Sequence, residues 1–345
     1  MAGGRGPAPV RLSASLKRWT CQAFRQGRVA PCPAHTGDLT RLLDDPTAFV
    51  WLDRAAPGRG DLDWTVATLG IHPLAIDDAL HPHQRGKIQA YGEGEAAYWF
   101  MAVHPVTLVG GDLKAHELAI LAGHRFLLTL RADPPYPLDE AATRWRQHLG
   151  QGPAEPGFLL YTLLDTVVDG YFPVAEWFEE RVNGIEARLF QTAASRQDLT
   201  REIFNMKKDS QRFRRAAWPV RDVLAPVVRG DLGLYPDAER TYFRDVYDHA
   251  VRVVDQVDAT RDLANSALDV QLAVTANRQN EVSKQLTIIA TIFLPLSFIT
   301  GFFGQNFSLL VKVISGPLAF WLLGIASEVL AAVFFLLLFK RRGWF

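Results

Sequence analysis

Two apolar runs near the C-terminus determine the architecture: residues 286–304 (LTIIATIFLPLSFITGFFG) and residues 317–339 (PLAFWLLGIASEVLAAVFFLLLF). Each run reaches roughly the 20 residues that an α-helix needs to cross a bilayer. Residues 285–339 contain only two charged residues, Lys312 and Glu328. A buried helical hairpin in a soluble protein is the alternative, but two such runs rarely lie together in a globular core. The sequence therefore predicts two transmembrane helices.

The rest of the chain has the charge content of a soluble protein. The 345 residues include 37 Lys+Arg and 37 Asp+Glu, and the mean hydropathy of +0.01 averages a charged part with an almost uncharged one. A net charge of zero argues against a nucleic-acid binder, which normally has a basic excess. The two cysteines provide no disulfide framework, and the sequence has no P-loop, Rossmann fingerprint, nucleophile elbow or HExxH motif. We expect neither a nucleic-acid partner nor an enzyme.

The charges that flank the apolar runs predict their orientation. The joining segment, residues 305–316, contains only Lys312, whereas the basic cluster Lys340, Arg341 and Arg342 follows the second run. Lys and Arg are in excess on the cytoplasmic side of membrane helices. We expect a multi-pass protein of the cell (inner) membrane, in contact with lipid, with both termini in the cytoplasm and no cleaved signal peptide.

The cytoplasmic part divides by its hydrophobic pattern. Strand-like runs at 49–52, 97–103, 118–121 and 125–130 alternate with helical ones such as 69–80, and helical patterns dominate after Pro153. The expected fold class is an α+β membrane protein whose long stalk helix continues into the first transmembrane helix. The predicted segments are a flexible tail (1–39), a cytoplasmic α/β domain (40–152), a helical region (153–236), the stalk helix (237–285), the first transmembrane helix (286–304), an external loop (305–316), the second transmembrane helix (317–339) and a basic tail (340–345).

One face of the long predicted helix is small or polar. A helix from about 237 to 304 would be on the order of 100 Å long and needs partners to bury its apolar residues, which implies an oligomer. The stripe recurs at steps of three or four residues: Asp269, Ala273, Ala276, Asn280, Ser283, Thr287, Ala290, Leu294, Ser297 and Gly301. Such a face permits close helix packing, or it lines a pore in which Leu294 is an apolar constriction. The stripe alone does not distinguish the two.

Several motifs resemble the CorA family of divalent-cation channels. Residues 300–307 (TGFFGQNF) resemble the family's Gly-Met-Asn signature flanked by aromatic residues, and residues 286–298 match the preceding membrane helix. Residues 242–249 (YFRDVYDH) resemble its stalk motif. Residues 70–74 (GIHPL), followed by 77–78 (DD) and 83–85 (HQR), are similar to its cytoplasmic segment, and residues 340–345 (KRRGWF) resemble its C-terminus. The matches span about residues 65 to 345 in the family's order.

The resemblance implies a homopentameric funnel with a central pore and no covalently bound cofactor. Gly304, Gln305 and Asn306 would form the selectivity filter. The pore-lining residues would be Asp269, Asn280, Ser283, Leu286, Ala290, Leu294, Ser297 and Gly301. Because Mg²⁺ dehydrates reluctantly, amide oxygens that accept hydrogen bonds from its bound waters suit a first filter, and weak binding lets the ion leave.

The resemblance also implies a regulatory metal site at Asp78 and Asp245. Carboxylates from neighbouring subunits repel each other until a divalent cation joins them, so an occupied site would hold the channel closed. The alternative is that both acids belong to a solvated helical face.

Three features depart from the family pattern or leave a role open. Gln305 replaces the signature Met, and the loop after Asn306 contains Lys312 and no acid, so ion preference does not carry over. Glu328 lies inside the second apolar run, where an ionisable residue is costly. Either it is neutral and bonded to a neighbouring helix, or it couples transport to protons, as suggested for the zinc-transporting ZntB branch.

Three functions are consistent with these observations. The first is a channel that takes up Mg²⁺, and Co²⁺ or Ni²⁺, driven by the membrane potential, with a divalent cation as substrate and as regulatory ligand. The second is a proton-coupled Zn²⁺ transporter. The third is a non-conducting, membrane-anchored oligomeric scaffold or sensor.

Overall fold

The computed structural model describes residues 16–81, 85–149, 155–189, 196–231, 233–305, 308–314 and 316–344. The chain forms two compact units, Met1–Ala267 and Leu268–Phe345. The first contains a mixed sheet with helices, and the second contains the C-terminal part of a long helix and the last helix.

A seven-stranded sheet is the centre of the first unit. Its strands are β1 (Thr20–Arg25), β2 (Arg28–Ala30), β3 (Ala48–Ala55), β4 (Lys87–Tyr91), β5 (Tyr98–Val103), β8 (Leu118–Gly123) and β9 (Phe126–Arg131), in the order β2-β1-β3-β9-β8-β5-β4. Only β3 and β9 are parallel neighbours. Strands β6 (Val106–Val109) and β7 (Asp112–Ala115) form a separate antiparallel pair. The four strands expected from the sequence are all present.

Both faces of this sheet are covered, because every residue of β5 and β8 is buried. Successive strand residues point to opposite faces. One face packs against α1 (Thr36–Leu43), α2 (Arg59–Leu69) and α3 (Pro73–Leu80), through residues such as Phe100 and Leu62. The other is contacted by α5 (Pro156–Asp169) and α7 (Arg196–Arg229). The described part of the first unit also contains α4 (Asp139–Leu149), α6 (Phe172–Leu189) and the 3₁₀ turns Leu16–Arg18 and Gly94–Ala96.

The predicted flexible tail of residues 1–39 is wrong for its described part. Thr20–Arg25 is a strand between β2 and β3, and Phe24 is 1% exposed. The Gly, Pro and Arg content of this region concealed a short strand. The single helix expected at 69–80 is also wrong. Gly70 has a left-handed φ of 68°, which ends α2, and α3 then begins at Pro73.

The helical region after Pro153 belongs to the same compact unit as the sheet. Among the described residues, three helical segments are long and apolar enough to cross a membrane; one of them is Pro156–Leu189, but 67% of its apolar window is buried inside the protein. The other two segments, Glu239–Phe303 and Pro317–Arg341, are each 6% buried over their windows. Tertiary packing therefore already covers the apolar surface of the first segment, and two remain as membrane spans.

The expectation of one long helix is confirmed by α8, which is unbroken from Asp237 to Phe303 and contains Pro295. The segment expected as a loop at 305–316 includes a short helix, α9 (Ser308–Val313). The last helix, α10 (Pro317–Arg341), is α-helical at both ends and π-helical over Phe320–Ala326. It therefore extends into the predicted basic tail.

Candidate functional site

The predicted pore face lies on the part of α8 that belongs to the second unit. All eight of its residues are exposed in the single chain: Asp269, Asn280, Ser283, Leu286, Ala290, Leu294, Ser297 and Gly301. Leu294, the predicted constriction, is 77% exposed. Other sides of the helix are open too, since Phe293 and Phe298 are 63% and 73% exposed. In the single chain, exposure does not separate a pore face from a lipid face.

The last turn of α8 leads into the predicted filter. The Gly304 N–H donates to Thr300 O at 2.9 Å, and the Gln305 N–H donates to Phe302 O at 3.3 Å. A Cβ atom at Gly304 would lie 3.0 Å from Thr300 O, which is tighter than ordinary van der Waals contact. Glycine thus allows the chain to leave the helix close to its last turn. Asn306 lies outside the described residues, and its role stays a sequence prediction.

Glu328 contacts the first membrane helix of the same chain. Thr300 Oγ1 donates a hydrogen bond to Glu328 Oε1 at 2.6 Å. The same hydroxyl lies 2.9 Å from Leu296 O, one turn back along α8. A bond to a neighbouring helix is one of the two roles expected for Glu328. Proton coupling stays an untested hypothesis.

The basic cluster lies at the end of α10. Lys340 and Arg341 belong to its last turn, and all three cations, Lys340, Arg341 and Arg342, are exposed. The Trp344 N–H donates to Phe339 O at 3.0 Å, and the Trp344 ring stacks on Phe339 with centroids 5.2 Å apart. Positive charge at a helix C-terminus also offsets the negative end of the helix dipole.

The two predicted regulatory acids lie on different elements and have different neighbours. Asp78, on α3, forms an ion pair with Lys87 of β4. Asp245, on α8, has a side chain that is 63% exposed and lies 3.8 Å from Nε2 of His249, one turn further along. A site between subunits requires a second chain, so the single chain does not test this pairing.

A polar cluster that sequence reasoning missed lies beside Asp245. Ligand atoms of Asp165, Asp169 and His249 all lie within 4.8 Å of one another. His249 Nδ1 is 4.0 Å from Asp169 Oδ1. Carboxylate oxygens and an imidazole nitrogen are metal-ligand types, so the cluster adds three candidate ligands next to the predicted regulatory acid.

Arg144 of α4 partly neutralises this cluster. Its Nη1 donates to Asp165 Oδ2 at 2.8 Å and to Asp169 Oδ2 at 2.9 Å. Burial raises the pKa of Asp165 from 3.8 to about 6; Asp169 and Asp245 add to the rise, and Arg144 and His249 oppose it. Asp169 and Asp245 disfavour the negative charge on Asp165, and a bound cation would relieve that repulsion.

The missed residues do have a signal in the sequence. Asp165 and Asp169 are four residues apart, as are Asp245 and His249, and residues at this spacing share a face of a helix. Arg144 precedes the nearer pair by about 20 residues, and the contact between α4 and α5 cannot be read from spacing alone. The pattern would have suggested two polar faces without showing that they meet.

Known proteins match this chain over most of its length and share its fold. Residues 46–341 match the family of CorA-like Mg²⁺ transporter proteins. The chain is 30% identical over 319 residues to the cobalt/magnesium transport protein CorA of Thermotoga maritima, a match that covers 90% of this chain and 88% of that one. It is 24% identical over 314 residues to the cobalt/magnesium transport protein CorA of Methanocaldococcus jannaschii, covering 89% and 94%.

The solved structure of the CorA magnesium transporter from Methanocaldococcus jannaschii superposes with a TM-score of 0.73, at 20% identity, over 94% of this chain and 98% of that chain. The likeness confirms the fold expected from the sequence. Because the family match extends from β3 through the last helix, it includes the sheet, the long helix and both apolar segments. The chain belongs to the CorA family of divalent cation transporters, which are not enzymes.

Proposed function

We propose that this chain forms a homopentameric channel that carries Mg²⁺, and also Co²⁺ or Ni²⁺, into the cytoplasm. The observation that carries the proposal is the family match over residues 46–341, together with relatives that are cobalt/magnesium transport proteins. The match includes α8 and the Gly304-Gln305-Asn306 tripeptide, which are the predicted pore and filter.

The surface of α8 supports assembly with further copies. Residues 272–287 are exposed at nearly every position, including Leu272 at 56% and Val282 at 49%. A helical stretch without tertiary partners is marginal in water. Identical helices that pack in parallel around an axis would cover this surface and turn the stripe of small and polar residues toward the centre. The same arrangement would place five Leu294 side chains in one ring.

The chemistry of the filter suits a hydrated divalent ion. Gln305 and Asn306 supply amide oxygens, which accept hydrogen bonds from water bound to the ion. Mg²⁺ keeps its water shell more strongly than larger ions do, so a filter that binds the hydrated ion avoids the dehydration cost. Amides bind more weakly than carboxylates, which allows the ion to move on.

The membrane potential is sufficient to drive uptake. A divalent ion gains about 4.6 kcal/mol per 100 mV when it crosses toward the negative side, twice the value for a single charge. The positive-inside rule supports a cytoplasmic position for the basic cluster, and with it for both termini and the first unit. Cytoplasmic divalent cation would then reach Asp78, Asp245 and the cluster of Asp165, Asp169 and His249, and its binding there would favour the closed channel.

The test is uptake into liposomes that contain the full-length protein, under an imposed potential. Uptake of Mg²⁺, Co²⁺, Ni²⁺ and Zn²⁺ is measured in competition with one another, with and without a pH gradient. We expect potential-dependent uptake of Mg²⁺ that Co²⁺ inhibits, and strongly reduced uptake in Asn306→Ala. Asn205→Ala, an exposed amide on α7, is the matched control.

Other results would point elsewhere. Full uptake in Asn306→Ala would refute the filter assignment. Zn²⁺ uptake that depends on the pH gradient would replace the proposal with proton-coupled zinc transport. A well-folded oligomer that takes up none of the four ions would support the scaffold or sensor.

A further inference from the structure

We propose that Glu328 is a positioning residue for the filter: through its hydrogen bond to Thr300, it fixes the last turn of α8, from which the Gly304-Gln305-Asn306 tripeptide continues. The proposal deepens the proposed function, on which its transport measurement depends. Neither residue belongs to the predicted pore face or filter.

The contact is a polar bond within an apolar segment. Glu328 is the only charged residue between Pro317 and Phe339, and its Oε1 atom lies 2.6 Å from Thr300 Oγ1. Lipid offers no hydrogen-bond partners, so a polar side chain at this depth bonds to protein or to enclosed water. Hydrogen bonds between membrane helices contribute modestly to association but fix which residues meet.

Thr300 transmits this bond to the chain that follows. Its carbonyl accepts the Gly304 N–H at 2.9 Å, in the last hydrogen bond of the helical pattern before the tripeptide leaves it. The contact is close, since a Cβ atom at Gly304 would lie 3.0 Å from the same oxygen. A shift of Thr300 therefore moves Gly304, and Gln305 and Asn306 follow directly in the chain.

A π-helical segment sets the direction of Glu328. Residues Phe320–Ala326 are π-helical, and the α-helix resumes at Ser327. The Ser327 hydroxyl bonds to the carbonyls of Leu323 and Gly324, so it occupies acceptors within this wider segment. A π-turn inserts one extra residue, which rotates everything after it by about 100° relative to a regular helix. That rotation aligns Glu328 with Thr300.

The bond is made on the flank of α8 and not on the predicted pore face. Thr300 immediately precedes Gly301, so its side chain points about 100° around the helix from the side on which Gly301 lies. Glu328 thus acts on the filter through the helix, without contact with the ion path. This distinguishes positioning from proton coupling, in which the carboxyl group itself must gain and lose a proton during transport.

The test compares deletions of the bond with variants that keep it, in the full-length protein. Thr300→Val and Glu328→Leu remove the bond, whereas Thr300→Ser and Glu328→Gln retain a hydroxyl and an acceptor oxygen. Thr291→Val is the matched control, because the Thr291 hydroxyl bonds to Thr287 O of its own helix at 2.8 Å. Two quantities are measured: the ratio of Mg²⁺ to Co²⁺ uptake in liposomes, and hydrogen exchange of peptides that contain Gly304.

We expect exchange at Gly304 to accelerate about threefold in Thr300→Val and Glu328→Leu, in line with the usual strength of such bonds between membrane helices. The Mg²⁺/Co²⁺ ratio should change in both variants, and it should be restored in Thr300→Ser and Glu328→Gln. Thr291→Val should behave as the wild type.

Two results would overturn the proposal. One is unchanged exchange and an unchanged ion ratio in both deletion variants. The other is a Glu328→Gln protein that is as defective as Glu328→Leu and loses its response to a pH gradient, because a titrating carboxyl group would then explain the role. If the wild type transports no ion, the proposed function fails, and the exchange measurement alone decides whether Glu328 holds the last turn of α8.

Discussion

Arg144 and Asp169 are joined by two hydrogen bonds to one oxygen: both Nη atoms of Arg144 lie 2.9 Å from Asp169 Oδ2. The guanidinium belongs to α4 and the carboxylate to α5, next to Asp165 and His249. The Arg144 guanidinium thus already bonds to carboxylate oxygens that would otherwise be free to coordinate a metal ion. A divalent ion that binds there must compete with Arg144 for the same oxygen atoms.

Removal of this competitor should strengthen cation binding. In Arg144→Gln, the acids lose one positive neighbour, so the protein should be less stable without Mg²⁺ and should gain more stability from added Mg²⁺ than the wild type. Thermal unfolding of the detergent-solubilised protein at increasing Mg²⁺ measures both effects. Arg146→Gln is the control, because Arg146 bonds to Ala142 O of its own helix. An equal Mg²⁺-induced shift in wild type and Arg144→Gln would contradict the competition.

The raised pKa of Asp165 predicts a dependence of stability on pH. Burial first, and then Asp169, raises this pKa from 3.8 to about 6, so the folded state holds the proton more tightly than the unfolded state does. The bound proton stabilises the folded state below about pH 4, and this stabilisation is lost as the pH rises to about 6. The loss in the free energy of unfolding is up to about 3 kcal/mol. Above this range the loss persists.

Asp165→Asn should therefore remove this part of the pH dependence. Relative to wild type, the variant should gain unfolding temperature between about pH 4 and 6, and keep that gain at pH 8. Asp255→Asn, an exposed carboxylate on α8, should follow the wild-type curve. Parallel curves for wild type and Asp165→Asn from pH 4 to 8 would show that the carboxyl group is not perturbed by its surroundings.

The regulatory site predicts a loss of feedback in Asp78→Asn/Asp245→Asn. Without these carboxylates a cytoplasmic cation loses ligands that would hold the closed state, so high internal Mg²⁺ should no longer inhibit flux. Liposome flux at rising internal Mg²⁺ measures the effect. The control is Asp77→Asn/Asp248→Asn. It changes the acid next to Asp78 and the acid three residues after Asp245. Full inhibition in the Asp78/Asp245 variant would remove both residues from regulation.

The apolar constriction predicts faster uptake in Leu294→Asn. An apolar ring opposes the entry of water and ions, and an amide at the same place would hydrate it, so uptake should rise by about tenfold for each 1.4 kcal/mol of barrier removed. Leu296→Asn places the same change two residues along, on another side of α8, and should not raise uptake. Unchanged uptake in a folded Leu294→Asn oligomer would argue that Leu294 faces lipid or another helix.

The close approach at Gly304 predicts a defect in Gly304→Ala. The added methyl group would lie 3.0 Å from Thr300 O, and relief of this contact should cost about 1–3 kcal/mol or displace the filter. Mg²⁺ uptake should fall while the protein still assembles. Gly184→Ala, on α6, is a suitable control, since a Cβ atom there has no neighbour within 4 Å. Equal uptake by the two variants would mean that the turn after α8 tolerates a side chain.

The sequence predicted those features that depend on local pattern. Three kinds of pattern each extend over a few to a few dozen residues: apolar runs of membrane length, a proline-free stretch before the first run, and short strand-like runs between helical ones. These patterns predict the two spans, the long helix and the central strands. The prediction of a flexible tail is wrong for residues 16–39. Strand β1 is short, and its stability comes from its pairing with β3, which lies more than 20 residues further along the chain.

Only the tertiary structure shows which separate helices and strands contact each other. Composition identified Glu328 as an unusual residue, but only the π-helical segment of α10 and its position against α8 bring it to Thr300. In the same way, Arg144, Asp165 and His249 come from three helices, and no spacing along the chain encodes their contact. Hydrophobic length and period are properties of a segment, whereas a hydrogen bond or a raised pKa depends on which segments pack together.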